Sequence, residues 1–237
     1  GTLEARVKTT ISSRIQERLA EVIVDQGDTV KSGQLVARLD DAETRQQVAI
    51  AEAALVSART TVERVRFDEA RAQAVLKQAQ QAAKRSEELL ASKVTSQADF
   101  DKTSEALQVA EADLKRSQSA IVEAESRVLV DEKTLLYQQE HLAFTEMRSP
   151  YNGLVIRRDR DAGGIVVPGA SILQIIATNE IWVSAWVDET EMTGLKVGQP
   201  ARVVFRSEPA KDYVGEVARL GRETDPETRE FVVDVRV

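Results

Sequence analysis

The sequence predicts an α+β protein of several domains, in which a long antiparallel α-helical hairpin is inserted between the two halves of a small β-sandwich. Three observations support this prediction. No Gly or Pro occurs from Gln34 to Ser149, and their absence favours long helices because these residues break regular structure. Apolar residues recur within that stretch at a spacing of seven. The segments on either side of it share one pattern of glycine and valine.

The composition of the 237-residue chain excludes several classes of function. It has no cysteine and one histidine, His141, which removes disulfides, thiolate metal sites and cysteine nucleophiles and argues against a Ser-His-Asp triad. The net charge is −7 without a basic block, whereas a nucleic-acid-binding protein needs a clustered positive face. No apolar run reaches the ~18–20 residues that span a bilayer. We therefore expect no cofactor, no metal and no nucleic acid.

A first helix is predicted over residues 41–91. Every seventh residue except Glu69 is apolar and forms a seam, and the position three later holds mostly small side chains that let a second helix approach closely. The seam series is Val48, Leu55, Val62, Glu69, Leu76, Ala83 and Leu90. Aromatic residues are only 4% of the chain, which agrees with a core made of such narrow helix packing.

A second helix is predicted over residues 97–141, because a second apolar series with a different phase runs through it. That series is Phe100, Leu107, Leu114, Ile121, Val128, Leu135 and Leu142. Residues 91–96 between the helices are predicted to form the turn, or tip, of an antiparallel hairpin. Ser96 followed by Asp99 resembles a capping box, with Asp in place of the usual Glu.

The two flanks of the hairpin repeat one spacing. Each holds the pattern Gly-x-x-Val-x-x-Gly, once from Gly27 to Gly33 and once from Gly163 to Gly169. Two β segments with the same turns, each too short to bury a core alone, are predicted to pair into one β-sandwich with internal two-fold symmetry. The alternative is a chance match of a short pattern. From Ile181 onward, alternating apolar residues predict further strands, with a loop at residues 225–227.

The order of these parts resembles the periplasmic adaptor proteins, also called membrane fusion proteins, of bacterial tripartite efflux and secretion systems. The segment from Val22 to Asp40 is similar to the first half of that family's biotinyl-lipoyl-like domain. The segment from Thr145 to Val155 is similar to the return of the chain into the same domain. The segment from Ile181 to Glu189 is similar to the start of the family's β-barrel domain.

The resemblance implies a map of domains. An N-terminal strand of the barrel or membrane-proximal region occupies residues 1–10, the lipoyl-like halves occupy residues 11–40 and 142–177, the hairpin residues 41–141, and an incomplete β-barrel domain residues 178–237. The family often has a glycine just before the first strand of the first half, whereas this chain has Glu17 near that place. Because of this departure, a short amphipathic helix within residues 11–20 is an open alternative. Family members usually continue further, so the chain is expected to be a fragment whose membrane anchor lies outside it.

No enzymatic or metal site is predicted. Asp159 and Asp161 alternate with arginines and are expected on a solvated edge. The carboxylates of residues 188–191 lack the loop glycine that would fold them around a hard cation, and two methionines, one of them Met192, are too few for a soft-metal site. A swinging-arm carrier would need a modifiable lysine in a tight turn between the lipoyl-like halves, where this chain has about a hundred residues of helix.

Arg85, Leu89 and Ser96 are the candidate functional residues, at the predicted tip. They match the Arg-x-x-x-Leu-x-x-x-x-x-x-Ser pattern with which the resembled adaptors meet an outer-membrane channel. Arg85 and Leu89 share one helix face, and an arginine offers several planar donors to carbonyls or carboxylates. In the alternative, structural interpretation, Arg85 pairs with Glu88 and Leu89 packs within the hairpin. Ser96 would then only cap the second helix.

By this resemblance, the chain is expected to be a periplasmic adaptor, associated with the inner membrane, that links an inner-membrane transporter of the RND or ABC type to a TolC-like outer-membrane channel. Self-association into a ring, commonly of six copies, would form a sealed duct for efflux or export. The alternative is a coiled-coil structural scaffold without a transport role, which would explain the hairpin but not the split β pattern.

Overall fold

The structure, a computed structural model, describes residues 1–191, 194–206, 208–224 and 229–237. The predicted loop at residues 225–227 and Met192 lie outside the described residues. Two compact units make up the chain, one of residues 41–143 and one of residues 1–40 with 144–237. In the second unit, the backbone N–H of Leu39 donates to the carbonyl of Thr145 over 2.8 Å. The chain therefore leaves this unit and returns to it at neighbouring points.

The helical unit consists of two long helices, α1 (Ala42–Ala91) and α2 (Gln97–Ala143). With 50 residues, α1 is about 75 Å long at 1.5 Å per residue. The packing between the helices is narrow and lacks aromatic residues at its centre. Its buried cluster is Val62, Val65 and Ala124, with Ile121 and Val128 packed against it.

Two ion pairs between the helices define their relative heights. Arg59 lies 2.9 Å from Glu132, and Arg66 lies 3.0 Å from Glu125. One carboxylate stands within the seam of α2, where Asp131 is buried and accepts a hydrogen bond from Arg127 Nε at 3.1 Å. A single polar residue in such a seam can specify which register the two helices adopt.

The turn at the tip ends α1 with a left-handed residue. Lys93 has φ 59°, and its N–H donates to the carbonyl of Leu90 at 2.9 Å. The N–H of Val94 donates to the carbonyl of Leu89, also at 2.9 Å. This pair of bonds is a Schellman motif with Lys in the position that usually holds Gly, so the last carbonyls of α1 are satisfied where the chain reverses.

The other unit contains a β-sandwich whose two sheets each take strands from both sides of the hairpin. The strands are β2 (Lys8–Ser12), β3 (Glu17–Val22), β4 (Thr29–Val30), β5 (Leu35–Leu39), β6 (Glu146–Arg148), β7 (Gly153–Arg158), β8 (Ile165–Val166) and β9 (Ser171–Ala177). One sheet has the order β2-β9-β7-β4 and the other β6-β5-β3-β8. Their facing sides form one core that includes Leu19, Leu39, Val155 and Ile172, all fully buried.

The halves of the sandwich repeat each other with an offset of 136 positions, which separates Gly27 from Gly163. These two glycines have φ 95° and 101°. The N–H of Gly27 donates to the carbonyl of Val155, and that of Gly163 donates to the carbonyl of Leu19, each over 2.8 Å. Leu19 and Val155 are themselves one offset apart, so each half closes its turn on the other. The shared glycine spacing is therefore a structural repeat.

The possible short helix within residues 11–20 is not formed. Those residues end β2 and enter β3, and Leu19 of β3 pairs with Leu39 of β5. Leu19 is fully buried because it takes the place in the first half that Val155 takes in the second. Because β3 pairs with β5 and β8 in the sandwich, this segment is extended and not helical.

A separate five-stranded sheet has the order β1-β10-β13-β12-β11. Its strands are β1 (Thr2–Ala5), β10 (Ile181–Asp188), β11 (Pro200–Val203), β12 (Tyr213–Thr224) and β13 (Glu230–Arg236). The core on one face is formed by Val217, Val233 and Val235. Over the described residues this sheet is open, with β1 and β11 at its edges. Together with the hairpin and the split sandwich, it confirms the predicted fold class.

Candidate docking site at the hairpin tip

The last turns of α1 present Arg85 and Leu89 on the face that points away from α2. Between them Ser86 is buried in the seam, whereas Arg85 is exposed and Leu89 is 43% exposed. The spacing of four residues places the two side chains one above the other on the helix surface. A guanidinium and an apolar side chain therefore stand side by side at the end of the hairpin.

Arg85 forms no ion pair or side-chain hydrogen bond within the described part of the chain, so the pair with Glu88 that the alternative interpretation requires is absent there. The exposure of Leu89 likewise disagrees with a side chain packed inside the hairpin. For these two residues the structural interpretation loses its support. The guanidinium of Arg85 and the exposed part of the Leu89 side chain are therefore accessible to another molecule.

Ser96 does have a structural role, because it caps α2. Its hydroxyl accepts a hydrogen bond from the Asp99 N–H at 3.2 Å and donates to the Asp99 carboxylate at 2.7 Å. The Thr95 hydroxyl donates to the same carboxylate at 3.3 Å. These bonds, that of Ser96 foremost, lower the pKa of Asp99, since they favour the charged form of the carboxyl group. The predicted capping box is thus modified, with the Asp99 carboxylate bound to hydroxyls.

Sequence reasoning missed one residue of this surface. Val94 follows the left-handed Lys93 in the turn and is 71% exposed. It adds a second exposed apolar side chain at the tip, and its backbone N–H is bonded to the carbonyl of Leu89. A β-branched apolar residue within a polar six-residue turn was the available signal. The structure places Arg85, Leu89, Val94 and Ser96 within one reversal of the chain, which we call the tip surface.

The carboxylates considered for catalysis have structural roles. Asp159 was expected on a solvated edge, but this was wrong: its side chain is only 16% exposed and accepts hydrogen bonds from Ser171, Arg157 and Gln174. The Ser171 and Arg157 bonds lower the pKa of Asp159. Asp161 is exposed and pairs with Arg158 at 2.7 Å. The reason for the difference is that Asp159 turns inward against β9.

Nothing in the described ranges suggests a metal site or a membrane span. No group of three or more His, Cys, Asp or Glu side chains there could hold a metal ion. Neither α1 nor α2, nor any shorter helix among those residues, is apolar enough to cross a membrane.

The Asp188 carboxylate accepts hydrogen bonds from the hydroxyl and N–H of Thr190, which lower the pKa of Asp188.

Comparison with known proteins gives three kinds of similarity. A family model described as the CusB-like beta-barrel domain matches residues 180–237. The multidrug export protein EmrA of Haemophilus influenzae is 26% identical over 82% of this chain, which spans only 55% of that protein's length. The UPF0194 membrane protein YE2891 of Yersinia enterocolitica is 27% identical over 92% of this chain and 73% of its own length.

Among solved structures, MacA from Actinobacillus actinomycetemcomitans superimposes with a TM-score of 0.68 at 20% sequence identity, covering 100% of this chain and 71% of MacA. The membrane fusion protein Spr0693 from Streptococcus pneumoniae gives a TM-score of 0.58 at 15% identity, over 100% of this chain and 90% of its own. At such low identities these superpositions show a shared fold.

Proposed function

We infer that this chain, a membrane fusion protein of the periplasmic adaptor family, links an inner-membrane transporter to a TolC-like outer-membrane channel and docks on that channel through the tip surface. The observation that carries this proposal is that Arg85 and Leu89 lie side by side and exposed at the end of a hairpin about 75 Å long. Arg85 has no ion-pair partner in the described chain. The family works in efflux systems, and the export protein EmrA is among its relatives.

The chemistry of the tip surface suits a channel end made of loops and helix ends. Such an end presents carbonyl and carboxylate oxygens, and a guanidinium can bind two of them at once. Leu89 and Val94 would cover apolar area beside that contact. Ser96 already uses its hydroxyl on Asp99, so we assign it mainly the task of holding the start of α2 in place next to Leu89.

In this proposal the protein acts by position and not by reaction. The transporter, of the RND or ABC type, supplies the energy. Several copies of the adaptor, commonly six, form a ring in the periplasm at the inner membrane and seal the path of the exported molecule. A structural scaffold without a transport role is the alternative. It would have no use for a bare cation and two bare apolar side chains at its tip.

The test is complementation by the full-length protein in its own host, with Arg85→Asp, Leu89→Ala and Ser96→Ala. Reversal of the Arg85 charge should remove a charge-assisted contact and add repulsion, which costs about 2–5 kcal/mol of binding and abolishes export. As an exposed residue without a partner, Arg85 should contribute at most ~1 kcal/mol to stability. Circular dichroism of each purified variant measures whether folding is intact.

Lys77→Asp is the matched control. Lys77 is an exposed cation on the same helix, eight residues before Arg85, and it pairs with no carboxylate in the described chain. Its reversal changes the net charge equally and should leave export intact. A well-folded Arg85→Asp protein that complements as well as Lys77→Asp would refute docking through the tip surface.

A further inference from the structure

Lys93, the left-handed residue of the turn at the tip, is an exception within this chain. Among the described residues, six glycines and two other residues, Lys93 and Arg229, have a positive φ. Glycine is the usual residue at such positions, because a Cβ there clashes with the backbone. Lys93 has φ 59°, so its backbone carries a strain that glycine would relieve. Strain of this kind in an ordinary residue is found mainly at functional sites.

The hairpin makes no use of the Lys93 side chain. Lys93 is exposed, and its ammonium group forms no ion pair or hydrogen bond with any described residue. The exposed Glu87 and Glu88 near the end of α1 do not pair with it, and the Asp99 carboxylate is bonded to hydroxyl groups. The bond that position 93 does supply, from its N–H to the carbonyl of Leu90, would be made equally well by glycine. No contact within the described chain therefore accounts for a lysine here.

The dipole of α1 does not account for the position of this lysine either. A cation near the C-terminus of a helix is stabilising, and the last turn of α1 holds no basic residue. The same benefit is available without strain at Ser92, whose φ of −82° suits any L-residue. Position 93 differs from position 92 in lying past the end of α1, at the reversal of the chain. The strained location therefore favours a contact that is made by the extreme end of the hairpin.

We propose that Lys93 is a second cationic docking residue at the tip, and that it binds a carboxylate on the end of the outer-membrane channel. This inference rests on the docking function proposed above and adds the charge of the partner, an acidic channel end. Arg85 presents a planar guanidinium that fixes geometry by binding two oxygens at once, whereas Lys93 carries a compact charge on a flexible stem. Such a charge acts mainly during approach, because it attracts the partner and raises the association rate.

Three substitutions separate the charge of Lys93 from its backbone strain. Lys93→Gly removes both, Lys93→Asn replaces the charged side chain with one that tolerates a left-handed φ, and Lys93→Arg retains both. In the purified full-length protein, Lys93→Gly should raise the melting temperature of the helical circular dichroism signal by roughly 4 °C. The same substitution should weaken docking. A residue that served only the hairpin would not make stability and docking change in opposite directions.

Docking is measured by surface plasmon resonance between the full-length protein and the TolC-like channel of its host in detergent micelles. Lys93→Gly and Lys93→Asn should lower the association rate about three- to tenfold at low salt. The difference from the parent should shrink at high salt, since exposed charges are then screened. Lys93→Arg should bind like the parent. Lys77→Asn is the matched control, because it removes another exposed cation of α1 and should leave the association rate unchanged.

Two results would overturn the role of Lys93. One is an association rate of Lys93→Gly and Lys93→Asn that equals that of Lys77→Asn at every salt concentration. The other is a melting temperature of Lys93→Gly no higher than that of the parent, because the lysine would then carry no strain. Arg85→Asp in the same assay distinguishes the two proposals. Loss of docking with Arg85→Asp but not with the Lys93 variants refutes only the role of Lys93, whereas parental docking by all of them refutes the tip surface.

Discussion

Truncation of Val62 to alanine tests whether the narrow seam holds the hairpin together. Val62 is 7% exposed at the centre of the buried cluster with Val65 and Ala124. Two methyl groups are lost, worth about 0.8 kcal/mol each when buried, and incomplete collapse of the cavity adds to that cost. Alanine has a higher helix propensity than valine and returns roughly 0.5 kcal/mol. The expected net loss is about 1–2 kcal/mol of unfolding free energy for the hairpin.

Val109→Ala is the matched control, because Val109 is in the same hairpin but 56% exposed. It loses little burial and gains the same helix propensity, so its unfolding free energy should stay within about 0.5 kcal/mol of the parent value. Urea unfolding followed by the helical circular dichroism signal measures both variants, at concentrations low enough to avoid self-association. Equal losses for Val62→Ala and Val109→Ala would refute the assignment of the seam.

Two further predictions concern the sandwich and the tip. A Cβ at Gly153 would collide with the carbonyl oxygen of Ile176, whereas one at Gly164 would meet nothing within 4 Å. Gly153→Ala should therefore lower the unfolding free energy of the unit that contains the sandwich by about 1–3 kcal/mol, as measured by thermal unfolding. A loss of unfolding free energy no greater than that of Gly164→Ala would contradict the close approach. Removal of the helix cap by Ser96→Ala should cost the hairpin about 1 kcal/mol. Because the folded pKa of Asp99 is lowered, its stabilising effect is present above the ordinary value of 3.8 and lost as the pH falls through the folded pKa. The Ser96→Ala variant should show less of this loss in urea midpoints measured across the acid range, and an unchanged pH dependence would show that the cap is not its source.

Some features of this fold are encoded by neighbouring residues, and others only by contacts between distant parts of the chain. Helix length, the position of the turn and the capping by Ser96 follow from periodicity and from the placement of Gly and Pro, which are properties of neighbouring residues. The glycine pattern revealed the sandwich halves because a left-handed φ near Gly27 and Gly163 strongly restricts the residue type. Such signals can be recognised in the sequence because they do not depend on tertiary contacts with the rest of the chain.

The tip surface was found only in part from the sequence. The pattern located Arg85 and Leu89, but whether Arg85 would pair with Glu88 depended on rotamers that sequence spacing leaves open. That the Ser96 hydroxyl also donates to the Asp99 carboxylate was seen only in the hydrogen-bond geometry. Val94 was overlooked because an apolar residue in a turn acquires meaning only when its exposure is known.

By itself, the sequence determined that this chain forms a hairpin within a split sandwich, because each element carries its own hydrophobic period and its own breakers. The tertiary structure alone decided which partners each element meets. It placed β1 beside β10 and turned Asp159 inward onto Ser171. Those outcomes depend on contacts between residues far apart in the chain, and burial is a property of the assembled fold that no local pattern encodes.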